Sequence, residues 1–598
     1  MNADPRHLDT APPASRALRI LLLCHSFNSL SQRMHAELAA RGHALAVELD
    51  ISDAVTEEAV ALFRPDLLIA PFLKRRIPDT VWRAVPCFVV HPGPPGDRGP
   101  AALDWAVLEG EAMWGVTVLQ ANGEFDAGPV WASAAFPLSA ASKGALYRAD
   151  VTDAAVHAAL QAVDRYLAGE APAAGPHGDG WRGPLPQAVR RIDWARDGSA
   201  VVLAKIRSAD GQPGVADALF GQPCHLFDAH AATAAALAGA AGAPGEVVAR
   251  RDGALLRRTV DGGVWIGHVR SAHACGDCSA ERPAFKLPAA LAFAAQAAAL
   301  PDLAVALSRA EDEWGELRYA EHGEAGARVG VLGFDFYNGA MSTAQCERLL
   351  AALREAKRRD TQVLLLAGGA GFFSNGIHLN CIEAAAHRDA DSAADESWRN
   401  INAMNDVALE ILTTTDRLTV SVLRGNAGAG GAFLALAADE VWAHRGVMLN
   451  PHYKNMGNLY GSEYWTYVLP RRLGRDGAAA LMQRRLPVAA PEAVRIGLID
   501  RCFDRGGAGF FEAALREARA LAASYNLRDR VMRKQHERAA DEAARPLADY
   551  RQEELSRMHR NFYGFDPSYH VARYHFVHKL PHAWTPRHLA PHREVAGR

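Results

Sequence analysis

The sequence predicts a multidomain α/β protein: two regions of parallel sheet, a small β-rich domain between them, and a helical tail. Length is the first reason. At 598 residues the chain exceeds the roughly 250–300 at which one core stops growing, so several domains are required. The second is an alternation of buried strand, loop and helix that occurs near the N-terminus and again after about residue 326. Strands alternating with helices build a parallel sheet whose functional residues lie on loops at the strand carboxyl ends. The third is a change of texture near Ala168, where the linker GEAPAAGPHGDGWRGPLP gives way to short β-like runs.

Taken in order, Ala17 to Cys24 (ALRILLLC) contains Arg19 and is far shorter than the roughly 20 residues that span a bilayer, so it reads as a buried strand. The loop Ser26 to Arg33, a helix and a strand follow, and PDLLIAPFL supplies another strand beginning near Asp66. CFVVHPGPPGDRGPAALDW reads as a strand to Val90, a Pro/Gly loop, and a helix from about Pro100. AVVLAKI, GEVVARRDGALLRRTV and GVWIGHV predict the β-rich domain, ending near residue 285. RVGVLGFDF opens the second α/β region, continued by TQVLLLAGGAGFFSNGIHL, LTVSVLRGNAGAGGAFLALAADEVWAH and the segment around Pro451. The expected units are 1–185, 186–285, a helical connector 286–325, 326–510 and a helical extension 511–598.

A net charge of -3 with 22% charged residues leaves no basic footprint for nucleic acid and too little acidic excess for disorder. The polar first 16 residues, with Pro12 and Pro13, lack the apolar core of a signal peptide; a cytoplasmic protein with no membrane association is expected. Cys24, Cys87, Cys346 and Cys381 sit in or beside apolar segments, as reduced core thiols do. Cys275 and Cys278 form a C-x-x-C without the second pair a zinc ribbon needs. The six histidines from His570 to His592 read as capping and lining a C-terminal surface segment, so no metal is expected.

Two stretches carry candidate chemistry. Leu423 to Ala437 (LRGNAGAGGAFLALA) is a glycine-dense loop running into an apolar helix, which lets backbone N–H groups converge on an anionic atom. An acid or base in the first helical turn would complete it, yet Phe433 stands there. Elsewhere His91, where a strand meets a rigid loop, and Asp126 in NGEFDAGPVW form a competent proton shuttle. A single histidine at a strand end is more often structural, so the surrounding strings carry the weight.

VVHPGPPGDRGPAALDW and WGVTVLQANGEFDAGPVWA resemble the Rossmann-type formyltransferase and hydrolase fold that uses formyl-tetrahydrofolate. The linker and the segment beginning RRIDW resemble that family's β-rich, OB-like second domain, so that the resemblance as a whole spans roughly residues 17 to 270. The resemblance implies an Asn, a His and an Asp around the formyl carbon. His91 and Asp126 match two of these, and Val89 stands where the Asn is expected. Asn28, Gln32 and Arg33 on the first loop, with Arg98, are the implied folate-binding residues.

GFFSNGIHL, RGNAGAGGAFLALAADE and YNGAMS resemble the signature loops of the crotonase, or enoyl-CoA hydratase and isomerase, superfamily, over about residues 326 to 510. This implies a coenzyme A pocket and a thioester oxyanion hole made by the N–H groups of Ile377 and Gly430. Hydratases carry glutamates where this chain has Phe433 and Tyr453, so water addition is not expected. The next loop, NPHYKNMGNLYGSEYW, offers Glu463 as base and Tyr453 as donor.

With SFNSLSQR, HYKNMGNLYGSEYW and NFYGFDPSYH, almost the whole chain resembles the HypX, or HoxX, family of NiFe-hydrogenase maturation proteins. That implies synthesis of the carbon monoxide ligand of the hydrogenase iron: a formyl group passes from formyl-tetrahydrofolate to coenzyme A, and formyl-CoA loses CO. Small-molecule substrates and other maturation factors are the implied partners. A formyl-folate hydrolase or amine formyltransferase with a CoA-sensing domain, and a non-catalytic scaffold, are the alternatives.

Overall fold

The computed structural model describes residues 16–175, 180–272, 284–504 and 506–594. Cys275 and Cys278 lie outside them. The first sheet comprises β1 (Arg19–Cys24), β2 (Ala44–Leu49), β3 (Leu67–Phe72), β4 (Cys87–His91), β5 (Met113–Gln120) and β6 (Val130–Pro137), in the order β2-β1-β3-β4-β5-β6. The first four are parallel, which buries both faces and explains their near-continuous apolar runs; β5 and β6 add antiparallel. His91 closes an interior strand at its carboxyl end.

The middle domain is antiparallel: β7 (Val215–Leu219), β8 (Gln222–Ala231), β9 (Val247–Arg251), β10 (Ala254–Arg258), β11 (Gly263–Ser271) and β12 (Leu287–Pro288), with path β7-β8-β11-β10-β9 and β12 on β11. One expectation fails here. AVVLAKI forms part of a helix, Ser199–Ala209, and not a strand. Its buried Val202, Leu203, Ile206 and Ala209 follow the helical repeat and pack into the core formed with Leu226 and Ile266; packing overrides the β propensity of the two valines.

The third region contains β13 (Leu317–His322), β14 (Val329–Phe334), β15 (Ala340–Met341), β16 (Val363–Ala367), β17 (Phe372–Ser374), β18 (Gly376–Ile377), β19 (Leu418–Leu423), β20 (Asn426–Gly428), β21 (Glu440–His444), β22 (Met448–Asn450), β23 (Val488–Ala489) and β24 (Arg501–Phe503). The main sheet runs β13-β14-β16-β19-β21-β24, and β17-β20-β22-β23 form a small second layer. The segment expected to be a helical connector is helical only at Ala289–Ala292 and Ala294–Ala298; β13 lies inside it, antiparallel to β14. The alternation of Leu317 and the buried Tyr319 with Arg318 between them is a short strand pattern that the alanine-rich start of the connector masks.

Helices Leu527–Ala544, Leu547–Tyr563 and Ser568–Val577 follow the sheet. The chain then returns to the first domain. Leu589 O accepts from Val47 N, Thr585 Oγ1 accepts from Leu49 N at 2.9 Å, and the buried Glu48 accepts from Thr585, His592 and Arg593. His592 is thus buried against an edge strand, not laid on the surface, because Glu48 needs cationic or hydroxyl partners to remain inside. Among the described residues no helix is long and apolar enough to cross a membrane, and no group of three or more His, Cys, Asp or Glu is placed to hold a metal ion.

Candidate functional site

The first site is built by β4 and the loop after it. Register pairs His91 with Thr117 on β5, and Thr117 Oγ1 donates to Gly93 O at 2.8 Å, fixing the start of the proline-rich turn. His91 Nε2 lies 2.7 Å from Asp97 Oδ2, and Nδ1 lies 3.5 Å from Asp126 Oδ1. A Cβ on Gly93 would stand 2.6 Å from His91 Nε2, so only glycine leaves room for the His91–Asp97 contact. Asp126 has φ +52° and accepts from Gly99 N at 3.0 Å, which anchors the second carboxylate. The imidazole is therefore bracketed: a proton on either nitrogen finds a carboxylate.

Asp97 is the residue that sequence reasoning missed, although it stands in the quoted HPGPPGDRGP. Nothing local marks it as facing back to His91. Val89 packs against the Leu21 and Leu68 cluster and brings no polar group. Arg98 donates to Phe125 O at 3.0 Å and so pins the loop that carries Asp126. Asn28 caps the helix Ser29–Ala40, accepting from Ser31 N at 3.0 Å. Arg33 pairs with Asp153, and Gln32 Oε1 accepts from Asn450 Nδ2 at 3.1 Å. That last bond crosses to the second site.

There, the two glycine loops meet. A Cβ on Gly376 (φ +82°) would stand 3.2 Å from Gly430 N, which brings β18, with Ile377, beside the start of the helix Gly430–Leu436. Gly430 is the first helical residue, where N–H groups have no partner within the helix. Ala429 ahead of it has φ +46° and donates to Asn450 O at 2.9 Å. Gln32, Asn450 and the Gly430 loop thus form one connected path between the domains.

Glu463 is fully buried against this loop. A Cβ on Gly430 would stand 2.5 Å from Glu463 Oε1, and that oxygen has no hydrogen-bond partner. The other oxygen accepts from Tyr453 Oη, which also lies 3.0 Å from Ser462 O. Burial raises the Glu463 carboxyl to about 7, and burial, then the neighbouring carboxylate, pushes the Tyr453 phenol well above its usual range. Phe433 stacks on Tyr453 with centroids 5.3 Å apart and planes at 16°. The predicted pair is therefore one hydrogen-bonded unit with an apolar wall. Asn405, which also escaped sequence reasoning, accepts from Glu463 N at 2.7 Å.

The family model for Formyl transferase matches residues 36–163, that for Formyl transferase, C-terminal domain, 184–275, and that for Enoyl-CoA hydratase/isomerase, 335–587. Hydrogenase maturation factor HoxX of Bradyrhizobium diazoefficiens is 57% identical over 581 residues, 96% of this chain and 97% of that one. The crystal structure of HypX from Aquifex aeolicus in complex with tetrahydrofolic acid is 43% identical, with a TM-score of 0.91 over 98% of this chain and 100% of that one. Methionyl-tRNA formyltransferase of Stenotrophomonas maltophilia is 28% identical over 225 residues, 36% of this chain and 71% of that one.

Proposed function

The chain belongs to the HypX/HoxX family of hydrogenase maturation factors, and on that footing we propose that it makes carbon monoxide in two steps. The formyl group of formyl-tetrahydrofolate passes to the thiol of coenzyme A, and the resulting formyl-CoA is decarbonylated. The observation that carries this reading is the unpartnered, buried Glu463 oxygen beside Gly430. A free base at a thioester oxyanion loop, walled by Phe433, suits removal of a formyl hydrogen and not delivery of water.

In the first step His91 takes the thiol proton, sulfur attacks the formyl carbon, and the carbon–nitrogen bond breaks as His91 returns the proton to the folate nitrogen. Asp97 and Asp126 hold the ring in place throughout. In the second, the N–H groups of Ile377 and Gly430 hold the carbonyl oxygen. Glu463 takes the formyl hydrogen as a proton, the carbon–sulfur pair leaves with sulfur, and Tyr453 protonates the thiolate. CO and free thiol result. The hydrogen bond between Tyr453 and Glu463 then carries the proton back and resets the pair.

Mixing the protein with formyl-tetrahydrofolate and CoA tests the reading through its products. CO trapped by a haem protein is the expected result; formate alone, or nothing, overturns it. The pH dependence follows from the raised carboxyl. The working base is the ionised form, so CO release from supplied formyl-CoA is expected to rise with pH through about 7 and level off above it. A rate unchanged between pH 5.5 and 8.5 (roughly one and a half units either side of that value) excludes Glu463 as the base.

Gly430→Val keeps the backbone N–H but blocks the carbonyl's approach to it, and is expected to lower CO release from formyl-CoA by about 100-fold or more, the order of cost when an oxyanion donor no longer reaches its oxygen. The new side chain occupies the space between the carbonyl site and Glu463. Unchanged CoA affinity together with unchanged CO release in this variant removes Gly430 from the oxyanion hole.

A further inference from the structure

Glu463 and Tyr464 both lie in the left-handed region, with φ of +59° and +60°. Side-chain-bearing residues stay there only when their surroundings hold them. Part of the hold is Asn405, within the third region. The rest comes from the C-terminal helix Leu547–Tyr563. Its Glu554, fully buried, accepts from Tyr464 N at 2.9 Å, Thr466 N at 2.8 Å and Thr466 Oγ1 at 2.6 Å. Asn561 accepts from Tyr460 N at 3.1 Å, and Gly461 N points at Met558 Sδ at 3.2 Å.

Residues 554, 558 and 561 occupy one face of that helix, at spacings of four and three. Together they grip the loop on both sides of Glu463 through its backbone. Tyr464, at the start of the helix Trp465–Arg484, has no side-chain cap of its own, so Glu554 supplies the acceptor that the helix start lacks.

We propose that Glu554 is a positioning residue for decarbonylation: the C-terminal extension, through this carboxyl group, fixes the left-handed Glu463–Tyr464 pair and aims the free Glu463 oxygen at the Gly430 loop. The proposal rests on the reading of Glu463 as the base. A cap that serves stability alone would lower the melting temperature and leave turnover intact. A positioning group lowers kcat while the substrate still binds, because the base remains present and is misdirected.

The test uses the full chain with supplied formyl-CoA, and compares Glu554→Ala, Glu554→Gln and Glu463→Gln. Glu554→Ala is expected to lose about 100-fold in kcat, the order of cost for a displacement near 1 Å, with KM within about twofold. Glu554→Gln keeps one acceptor oxygen on the loop and is expected to recover to a loss of about tenfold. Consumption of formyl-tetrahydrofolate should continue in both. If Glu554→Ala does not fold, Asn561→Ala, which loosens the same loop at Tyr460, should lose about three- to tenfold in kcat with the same unchanged KM.

A folded Glu554→Ala protein with kcat within twofold of the parent, beside an inactive Glu463→Gln, removes the positioning role and leaves the base in place. So does a rise in KM with kcat unchanged. A parental rate in Glu463→Gln removes the base itself, and with it the residue said to aim it.

Discussion

In a Glu463→Gln variant, formyl-tetrahydrofolate and CoA are expected to yield accumulating formyl-CoA and very little CO. Glutamine keeps the volume of a side chain that is fully buried beside Tyr453, on a backbone that Asn405 holds. Its amide oxygen still accepts from Tyr453. What it cannot do is take the formyl proton, and losing a positioned general base costs about 100- to 10,000-fold. Trapping the thioester with hydroxylamine and measuring CO with a haem protein reads both sides of the contrast. CO produced at the parental rate places the base elsewhere.

His91→Ala is expected to have the reciprocal phenotype. Transfer from formyl-tetrahydrofolate should fall by about 100- to 10,000-fold, because the alanine leaves Asp97 and Asp126 with no ring between them to carry the proton. The fold should survive, since β4 keeps its apolar residues Phe88 and Val90 in the core. Supplied formyl-CoA should still release CO at close to the parental rate, because the second site keeps all its groups. Failure on supplied formyl-CoA, with Glu463→Gln making CO normally, would put all the chemistry at the first site.

How far the chain itself discloses this arrangement depends on the range of the interactions. β1 and β3 are legible because parallel strands covered on both faces must be apolar throughout, and RILLLC and LLIAPF say so locally. That His91 and Asp126 lie together is legible through the strings around them, and that Tyr453 and Glu463 lie together through the polar loop they share. The parts played by Asp97, Asn405 and Glu554 are not. Each acts through a hydrogen bond to a partner brought in by tertiary packing, and an Asp in a proline loop or a Glu within a charged helix has no period or spacing to distinguish it. The misreading of AVVLAKI has the same root: β-branched residues suggest a strand until a neighbouring sheet dictates which face is buried.

The return of the C-terminal segment to β2 has a consequence in time. Leu49 and Thr585 are 536 positions apart, and ribosomes add about 5–20 residues per second. The edge of the first sheet is therefore made roughly 30 to 110 seconds before its covering segment exists. During that interval β2 is an open edge, a template for pairing with other chains, and Glu48 has none of the three partners that admit it to the interior. A nascent chain is expected to be most prone to aggregation through this strand until the segment carrying Thr585 and Leu589 has been made and has paired with it.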